Sequence, residues 1–198
     1  TSTWAAWQGR DALSIEWDHG PNADYDTDVY AQELTRTTQK PCKVLRQAGN
    51  ANETVEQSAK VVKADYSVPH LSHAPMETTC AVANVTTDAT GKVTACHVLA
   101  ATQNPQAVQQ AVGPVMGMAP ADVLVNVTLL GSGFGRKSKP DYCVEAAVLS
   151  RETGRPVHVT WTREDDLRHD YFHAIAAVQA EAAIGEDGMP TAGIQRAA

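Results

Sequence analysis

The chain has 198 residues, 43% of them hydrophobic, with 23 acidic and 16 basic side chains and a formal charge of −7. These values fit a globular chain of one large or two small domains, and they exclude a surface built to coat nucleic acid, since no basic stripe interleaved with aromatics occurs. No apolar run approaches the ~20 residues that span a bilayer. Cys42, Cys80, Cys96 and Cys143 stand far apart with no C-x-x-C pair, which argues against a cysteine-bound zinc or iron–sulfur site within this chain. The N-x-T triplets at Asn52, Asn84 and Asn126 read as chance matches.

In chain order, residues 3–13 predict a helix from the spacing of Trp4, Trp7 and Leu13, with Thr3 as N-cap. "LSIEW" alternates like a strand, and "DHGPNADYD" is a loop. Residues 27–38 predict a helix that ends before Pro41. "RQAGNANET" is polar and rich in Gly and Asn, a candidate boundary, with Asn52 capping a short helix through Lys60. "VVKADYSVP" predicts a strand. "CAVANVTT" and "KVTACHVLA" predict a hairpin turning at Gly91. A helix follows, with Asn104 as N-cap and Pro105 at its first position. "VLVNVTLL" reads as a buried-type strand. "DYCVEAAVLSRETG" predicts the clearest helix, beginning at Asp141, facing the core with Val144, Ala147 and Val148, and stopping at Gly154. "RPVHVTW" is a strand, "TREDDLRHD" a loop or short helix, and the remainder a second hairpin. The irregular alternation predicts an α+β fold of mixed sheets with packed helices.

The stretch "LLGSGFGRKSKPDY", between the buried-type strand and the clearest helix, is built to bring backbone close to something. A P-loop requires glycine before its Lys-Ser pair; Lys137 and Ser138 are in place, but the preceding residue is Arg136. The dinucleotide fingerprint fails at the same residue. Taken alone, the loop is equally a tight strand-to-helix turn with no ligand.

Its neighbours add information. "ATQNPQAVQQAVGPVMG" lies about thirty residues upstream, "HLSHAPMETTCAVANV" further upstream, and "EAAVLSRETGRPVHVTWTREDD" and "RHDYFH" downstream. In this order they resemble the molybdenum-binding large subunit of the xanthine oxidase and aldehyde oxidase family. "GFGRK", "HAPMETTCAVA" and "TREDDLRHDYFH" resemble its isoquinoline 1-oxidoreductase beta-subunit branch, with the aldehyde-dehydrogenase-like members. The resemblance covers most of the chain from Val61 onward. It implies that residues 1–52 are the tail of a hammerhead-like domain and that 53–198 are an incomplete first molybdenum-cofactor-binding domain. It places Gly133, Phe134 and Gly135 beside the metal and makes Gln103 the side-chain amide donor to an oxo ligand. Arg136 is expected to assist with phosphate or pterin charge.

The same resemblance implies oxidation of an N-heteroaromatic compound or an aldehyde with oxygen drawn from water. The implied cofactor is a molybdopterin cytosine dinucleotide with molybdenum, as in bacterial members, and the implied partners are the rest of the large subunit and a small subunit carrying [2Fe–2S] clusters. The purine-oxidising branch has a glutamate at the position of Ser138, so a purine substrate is not expected. The family's catalytic glutamate lies nearer the C-terminus than this chain extends, and none of the acids here is assigned to it. The chain opens and closes inside predicted elements without an initiator Met, so a piece of a longer polypeptide is expected, inactive alone and with its bacterial compartment, cytoplasm or periplasm, left open. The competing reading is a non-catalytic α+β binding or assembly module whose glycine loop is only a turn.

Other residues read as structural. His70 with His73 and His169 with His173 have metal-ligand spacing, but "VPHLSHAP" is flanked by prolines and no third ligand is suggested. Glu77 reads as an acid satisfied by backbone N–H groups. Arg163 to Asp166 reads as a solvated loop or an acid-welcoming helix start, with Arg163 paired to an acid. The four tryptophans, Trp4, Trp7, Trp17 and Trp161, read as packing residues.

Overall fold

A computed structural model describes residues 2–198. In chain order the elements are α1 (Thr3–Asp11), α2 (Thr27–Thr38), α3 (Ala51–Gln57), β1 (Val61–Val68), β2 (Cys80–Thr87), β3 (Val93–Ala100), α4 (Pro105–Met116), β4 (Val123–Val127), α5 (Asp141–Thr153), β5 (Val157–Thr160), α6 (Arg163–Arg168), β6 (Ala176–Ile184) and β7 (Pro190–Ala197). The fold is α+β. Its two compact units are residues 2–67 with Ala176–Ala198, and Val68–Ile175. Position 52, where the sequence suggests a boundary, lies inside α3.

In the first unit, the predicted second hairpin forms from β6 and β7 and joins β1 in a sheet of order β1-β6-β7. α1 is capped one residue earlier than expected, by Ser2, whose side chain accepts from the Ala5 N–H at 3.3 Å. α2 has the predicted bounds, with Asp26 accepting from the Val29 N–H at 2.9 Å. α3 starts at Ala51, not after Asn52, and ends at Gln57, short of Lys60; the side chain of Asn50 holds Glu53 at 2.6 Å. "LSIEW" forms no strand: residues 13–17 are all exposed, and alternation without a partner strand does not hold a β conformation.

The second unit is built on the four-stranded sheet β4-β3-β2-β5. β2 pairs antiparallel with β3 and β5, as the predicted hairpin requires, and β3 pairs parallel with β4. One sheet face carries Ala81, Ala83, Val85, Cys96, Val98 and Ala100; Val108, Val112 and Met116 of α4 and Cys143, Ala146 and Ala147 of α5 cover it. Alanines on both sheet and helix let the backbones pack closely. α4 begins as predicted, with the Asn104 side chain accepting from the Ala107 N–H at 3.0 Å and Pro105 following, and it ends at left-handed Gly117.

The inward face of α5 is rotated relative to the predicted one. Val144 and Val148 are only partly buried, whereas Tyr142, Cys143, Ala146, Ala147 and Ser150 are fully covered. Polar anchors set this rotation. The Tyr142 hydroxyl donates to the Ala101 carbonyl at 3.0 Å, and Ser150 Oγ accepts from the Val85 N–H at 2.9 Å while donating to the Arg155 carbonyl at 2.8 Å. β4 is an edge strand, so Leu124 and Val127 stay exposed, and the apolar run that reads as fully buried is covered on one side only.

Ser150 therefore joins α5 to β2 through a buried bond from the Val85 N–H, and its bond to the Arg155 carbonyl is partly buried. Ser150→Ala strands the buried Val85 N–H, and a buried unsatisfied group costs about 1–3 kcal/mol. The expected result is a lower urea midpoint at unchanged m-value; an unchanged midpoint refutes this account of the α5 rotation.

Candidate functional site

Residues 128–140 connect β4 to α5, and within the second unit this connection is stitched to two other segments. The first is the stretch before β2. The Met76 N–H donates to Ser132 Oγ at 3.1 Å, the Glu77 N–H donates to the Gly131 carbonyl at 3.0 Å, and the Gly131 N–H donates to Glu77 Oε2 at 3.2 Å. The second is the β3–α4 connection. There the Gln103 N–H and the Thr102 hydroxyl both donate to the Lys137 carbonyl at 3.0 Å. The Gly135 N–H in turn donates to Gln103 Oε1 at 3.0 Å.

The backbone here is strained. Ala74, Ser132 and Phe134 are the non-glycine residues with positive φ among the described residues, at 41°, 71° and 49°, and all three lie in these stitched segments. Each such residue costs about 1–3 kcal/mol and persists only where its surroundings over-determine it. Gly135, at φ +96°, continues the turn. Gly133 is glycine for a different reason: a Cβ there would lie 2.5 Å from Gln103 Oε1.

Two adjacent cations anchor the loop. Arg136, with no exposed side-chain surface, makes a bidentate pair with Asp141 through Nη1 and Nη2 at 2.9 and 2.8 Å. Its Nε stands 3.1 Å from Asp170 Oδ1, near enough for charge attraction but too far off the N–H axis for a hydrogen bond. Its guanidinium also lies 5.2 Å from the Trp161 ring centroid and 5.4 Å from that of Tyr171. Lys137, equally buried, pairs with Glu77. Arg163 grips the upstream segment from α6, donating to the Pro75 and Met76 carbonyls at 2.7 Å and to Asp166 at 2.7 Å. α6 itself starts with a Thr162–Asp165 capping box.

The carboxyls are tuned by this frame. Burial raises the Asp170 pKa, but bonds from the His73 N–H at 2.6 Å, His73 Nδ1 at 3.0 Å and Ser72 Oγ at 3.0 Å hold it below the usual range. Burial likewise raises Glu77, and the Lys137 and Gly131 bonds outweigh it. Asp166 and Glu145 are pushed up, mainly by burial.

Among the residues expected at a site, Gln103, Gly133, Phe134 and Gly135 meet on one turn. Arg136 does not: its charge is turned inward onto Asp141 and Asp170 and faces no external phosphate or pterin. Lys137 is also committed inward, to Glu77, which removes the P-loop use of the sequence. Glu77 is satisfied by one backbone N–H, as expected, but also by Lys137, and its side chain is 38% exposed. His70 Nδ1 contacts the His173 carbonyl at 3.0 Å, and among the described residues no group of three His, Cys, Asp or Glu is placed to hold a metal. Asp170 was missed by sequence reasoning; "RHDYFH" offered only its proximity to basic and aromatic residues.

The turn can receive an oxygen-bearing anion. Among the described residues, the N–H groups of Gly133 and Phe134 and the Nε2 of Gln103 have no acceptor. Because Gln103 Oε1 is held by Gly135, its NH₂ is the end left to donate. Successive left-handed residues gather backbone N–H groups in the manner of an anion nest. This donor set fits the oxo and phosphate groups of a molybdopterin-type cofactor, and Phe134, 71% exposed, stands beside it.

Gly133→Ala should push Gln103 off Gly135 and lower stability by about 1–3 kcal/mol, whereas Ser138→Ala, a partly exposed change, should stay within about 0.5 kcal/mol. Equal urea midpoints for the two variants contradict the close packing at Gly133. The depressed Asp170 stabilises the fold fully above its unfolded pKa, and that contribution is lost as pH falls through its lower folded value. Asp166 and Glu145 act in the opposite sense, so the comparison is between variants: the wild type should lose more stability from pH 6 to pH 2.5 than Asp170→Asn. Parallel curves would show that Asp170 is not depressed.

Residues 34–194 match the family model of a molybdopterin cofactor-binding domain. The isoquinoline 1-oxidoreductase subunit beta of Brevundimonas diminuta is 39% identical over 85 residues, 43% of this chain and 11% of that protein. The xanthine dehydrogenase molybdenum-binding subunit of Escherichia coli O157:H7 is 24% identical over 181 residues, 89% of this chain and 23% of that protein. Among solved structures, quinoline 2-oxidoreductase from Pseudomonas putida 86 superposes with a TM-score of 0.64 at 27% identity, covering 75% of this chain and 18% of its own. A Cu,Mo-CO dehydrogenase shares the fold with a TM-score of 0.66 at 20% identity, covering 96% of this chain and 26% of its own. The chain thus spans between 11% and 26% of the length of these proteins. It belongs to the molybdopterin cofactor-binding domain family, within the xanthine oxidase family of molybdenum enzymes.

Proposed function

We propose that this chain is part of the catalytic subunit of a molybdenum hydroxylase that oxidises an N-heteroaromatic compound or an aldehyde with water-derived oxygen. The observation that carries this reading is the Gln103–Gly135 bond, which fixes the amide with its NH₂ outward beside the unpartnered N–H groups of Gly133 and Phe134. A bound molybdopterin, here proposed as the cytosine dinucleotide form, supplies the two-electron redox chemistry. Gln103 would hold an oxygen of that group through its NH₂, a role suited to a preorganised neutral donor. Gly133 and Gly135 keep Cβ atoms out of the approach, and Phe134 walls the cavity against water.

Arg136 acts from beneath, holding the turn's shape through Asp141 and Asp170, not by touching the cofactor. The remainder of the subunit would supply the base, a glutamate, and a small subunit with [2Fe–2S] clusters would be the electron-accepting partner. Residues 1–52 are assigned to a hammerhead-like domain and 53–198 to the first cofactor-binding domain. Ser138 donates to the Gly135 carbonyl at 2.6 Å, so the position that carries a purine-orienting glutamate in one branch is tied to the loop, which favours a non-purine substrate.

The full protein should contain near-stoichiometric molybdenum and release a cytosine nucleotide, while the 198-residue chain alone should hold little molybdenum and reduce no dye. Gln103→Ala in the full protein should lower kcat more than it raises KM. Loss of one hydrogen bond to a charged group costs about 1.5–3 kcal/mol, roughly ten- to hundredfold in rate. A full protein without molybdenum supports the binding-module alternative, and unchanged turnover at full metal content removes Gln103 from the site.

A further inference from the structure

We propose that the Ser132 hydroxyl is a further cofactor contact of this site, donating its hydrogen to an oxygen-bearing anion seated on the Gly133–Gly135 turn. The inference rests on the cofactor reading above and deepens it.

The hydroxyl has a hydrogen to give. Ser132 Oγ accepts the Met76 N–H at 3.1 Å, and among the described residues its own O–H meets no protein acceptor. A hydroxyl that accepts through a lone pair keeps its hydrogen free to turn toward a partner. Covalent geometry limits where that partner can sit. Four bonds separate Ser132 Oγ from the Gly133 nitrogen, so the two stay within about 5 Å of each other in any rotamer. Gly133 is a buried residue, and its N–H has no acceptor among the described residues. A buried N–H without a partner is rare in a folded chain and marks a place where something else accepts. The Gln103 amide packs on the same glycine: a Cβ there would lie 2.5 Å from its Oε1. Peptide N–H, hydroxyl and amide NH₂ are thus gathered around Gly133. All three are donors, so an oxygen anion is attracted by each.

The backbone at Ser132 points the same way. The residue sits at φ 71°, where glycine would be unstrained and an L side chain is not. A link to the upstream segment does not by itself call for a side chain here. Glu77, next to Met76, already binds the preceding residue Gly131 twice, through its own N–H at 3.0 Å and its carboxylate at 3.2 Å. What the Met76 bond adds is a set position for the Ser132 oxygen, with only the hydrogen left to turn. A donor held in place before the ligand arrives is what a preorganised anion site requires. Ser132 is half-buried, so the hydroxyl is sheltered from water yet not sealed beneath the loop.

The test uses the full protein with its cofactor. Wild type, Ser132→Ala, Ser132→Gly, Gln103→Ala and the Ser132→Ala/Gln103→Ala double variant are each followed for molybdenum and pterin retained after timed incubation and gel filtration. The melting temperature of each apoprotein is measured in parallel. Both Ser132 variants should lose bound cofactor about ten- to hundredfold faster than wild type. Ser132→Gly relieves the positive φ, so its apoprotein should melt no lower than that of Ser132→Ala, and retention should not follow melting temperature. Two donors to one anion are coupled, so the double variant should lose cofactor more slowly than the product of the single effects, with no matching coupling in the melting temperatures. Loss of molybdenum with pterin retained assigns the anion to an oxygen on the metal; joint loss assigns it to the cofactor phosphate. Wild-type retention in both Ser132 variants overturns the proposal. Retention that ranks with melting temperature, or single effects that simply multiply in the double variant, overturns it as well, because Ser132 then only shapes the loop or acts apart from the anion that Gln103 holds. A wild-type protein with neither molybdenum nor pterin fails the cofactor reading itself, and is recognised before any variant is made.

Discussion

The loop depends on the burial of one guanidinium. Taking Arg136 wholly out of water costs several kcal/mol, and burial alone works against its charge; the paired Asp141, then the charges of Asp170 and Asp166, outweigh that and raise its pKa. Rings of Trp161 and Tyr171 line it further. The partners come from different places: Asp141 from the first turn of α5, Trp161 from just after β5, and Asp170 and Tyr171 from just after α6. A buried ion pair is weak evidence for stability, but it is a strong register device, because misplacing any partner leaves a charge unpaired in a dry environment. The 3₁₀ turn Arg136–Ser138 is thereby set in one position, and the left-handed residues before it are held where an isolated loop would relax.

Lys137 does the same work on the opposite side. Consecutive residues of the loop send their charges to different segments, Arg136 toward the region after α6 and Lys137 toward Glu77 ahead of β2. The Lys137 carbonyl, meanwhile, receives two donors from the β3–α4 connection. Three segments distant in sequence thus converge on two residues. Glu77 closes the circuit, because its backbone and its carboxylate both bond to Gly131, so the loop's two ends share one frame.

The elements whose signals are local were legible in the sequence. α4 carries its cap and its N-terminal proline side by side, at Asn104 and Pro105, and it begins there. The β2–β3 pair likewise follows from alternation around a short turn. "LSIEW" failed because alternation reports a possible strand, and only a partner makes one. The rotation of α5 was hidden because Ser150 and Tyr142 look like surface residues until their bonding partners, Val85 and Ala101, are known. At the loop, the resemblance names the glycines and Gln103, but the direction of the Arg136 side chain is not readable from it. The Ser72–Asp170 contact spans 98 positions, and nothing in the local pattern announces Asp170 as the partner of Arg136.

That inward direction bears on what kind of anion site this is. The frame beneath the turn holds three cations, Arg136, Lys137 and Arg163, against four acids, Glu77, Asp141, Asp166 and Asp170. Each of these three cations is already paired, and the loop's remaining cation, Lys139, lies over the Tyr171 ring. What the loop offers are neutral donors: backbone N–H groups at Gly133 and Phe134 and the Gln103 amide. A P-loop holds phosphate with a lysine that faces it; here the lysine is structural and the dipoles do the facing. Fixed dipoles need no reorganisation when charge grows on a bound oxygen. They also bind weakly any free anion that brings no contacts of its own, because the attraction of an unpaired cation is missing. A turn of this kind suits a large group held by many contacts whose oxygens change charge during a reaction, and it suits a transient free phosphate poorly.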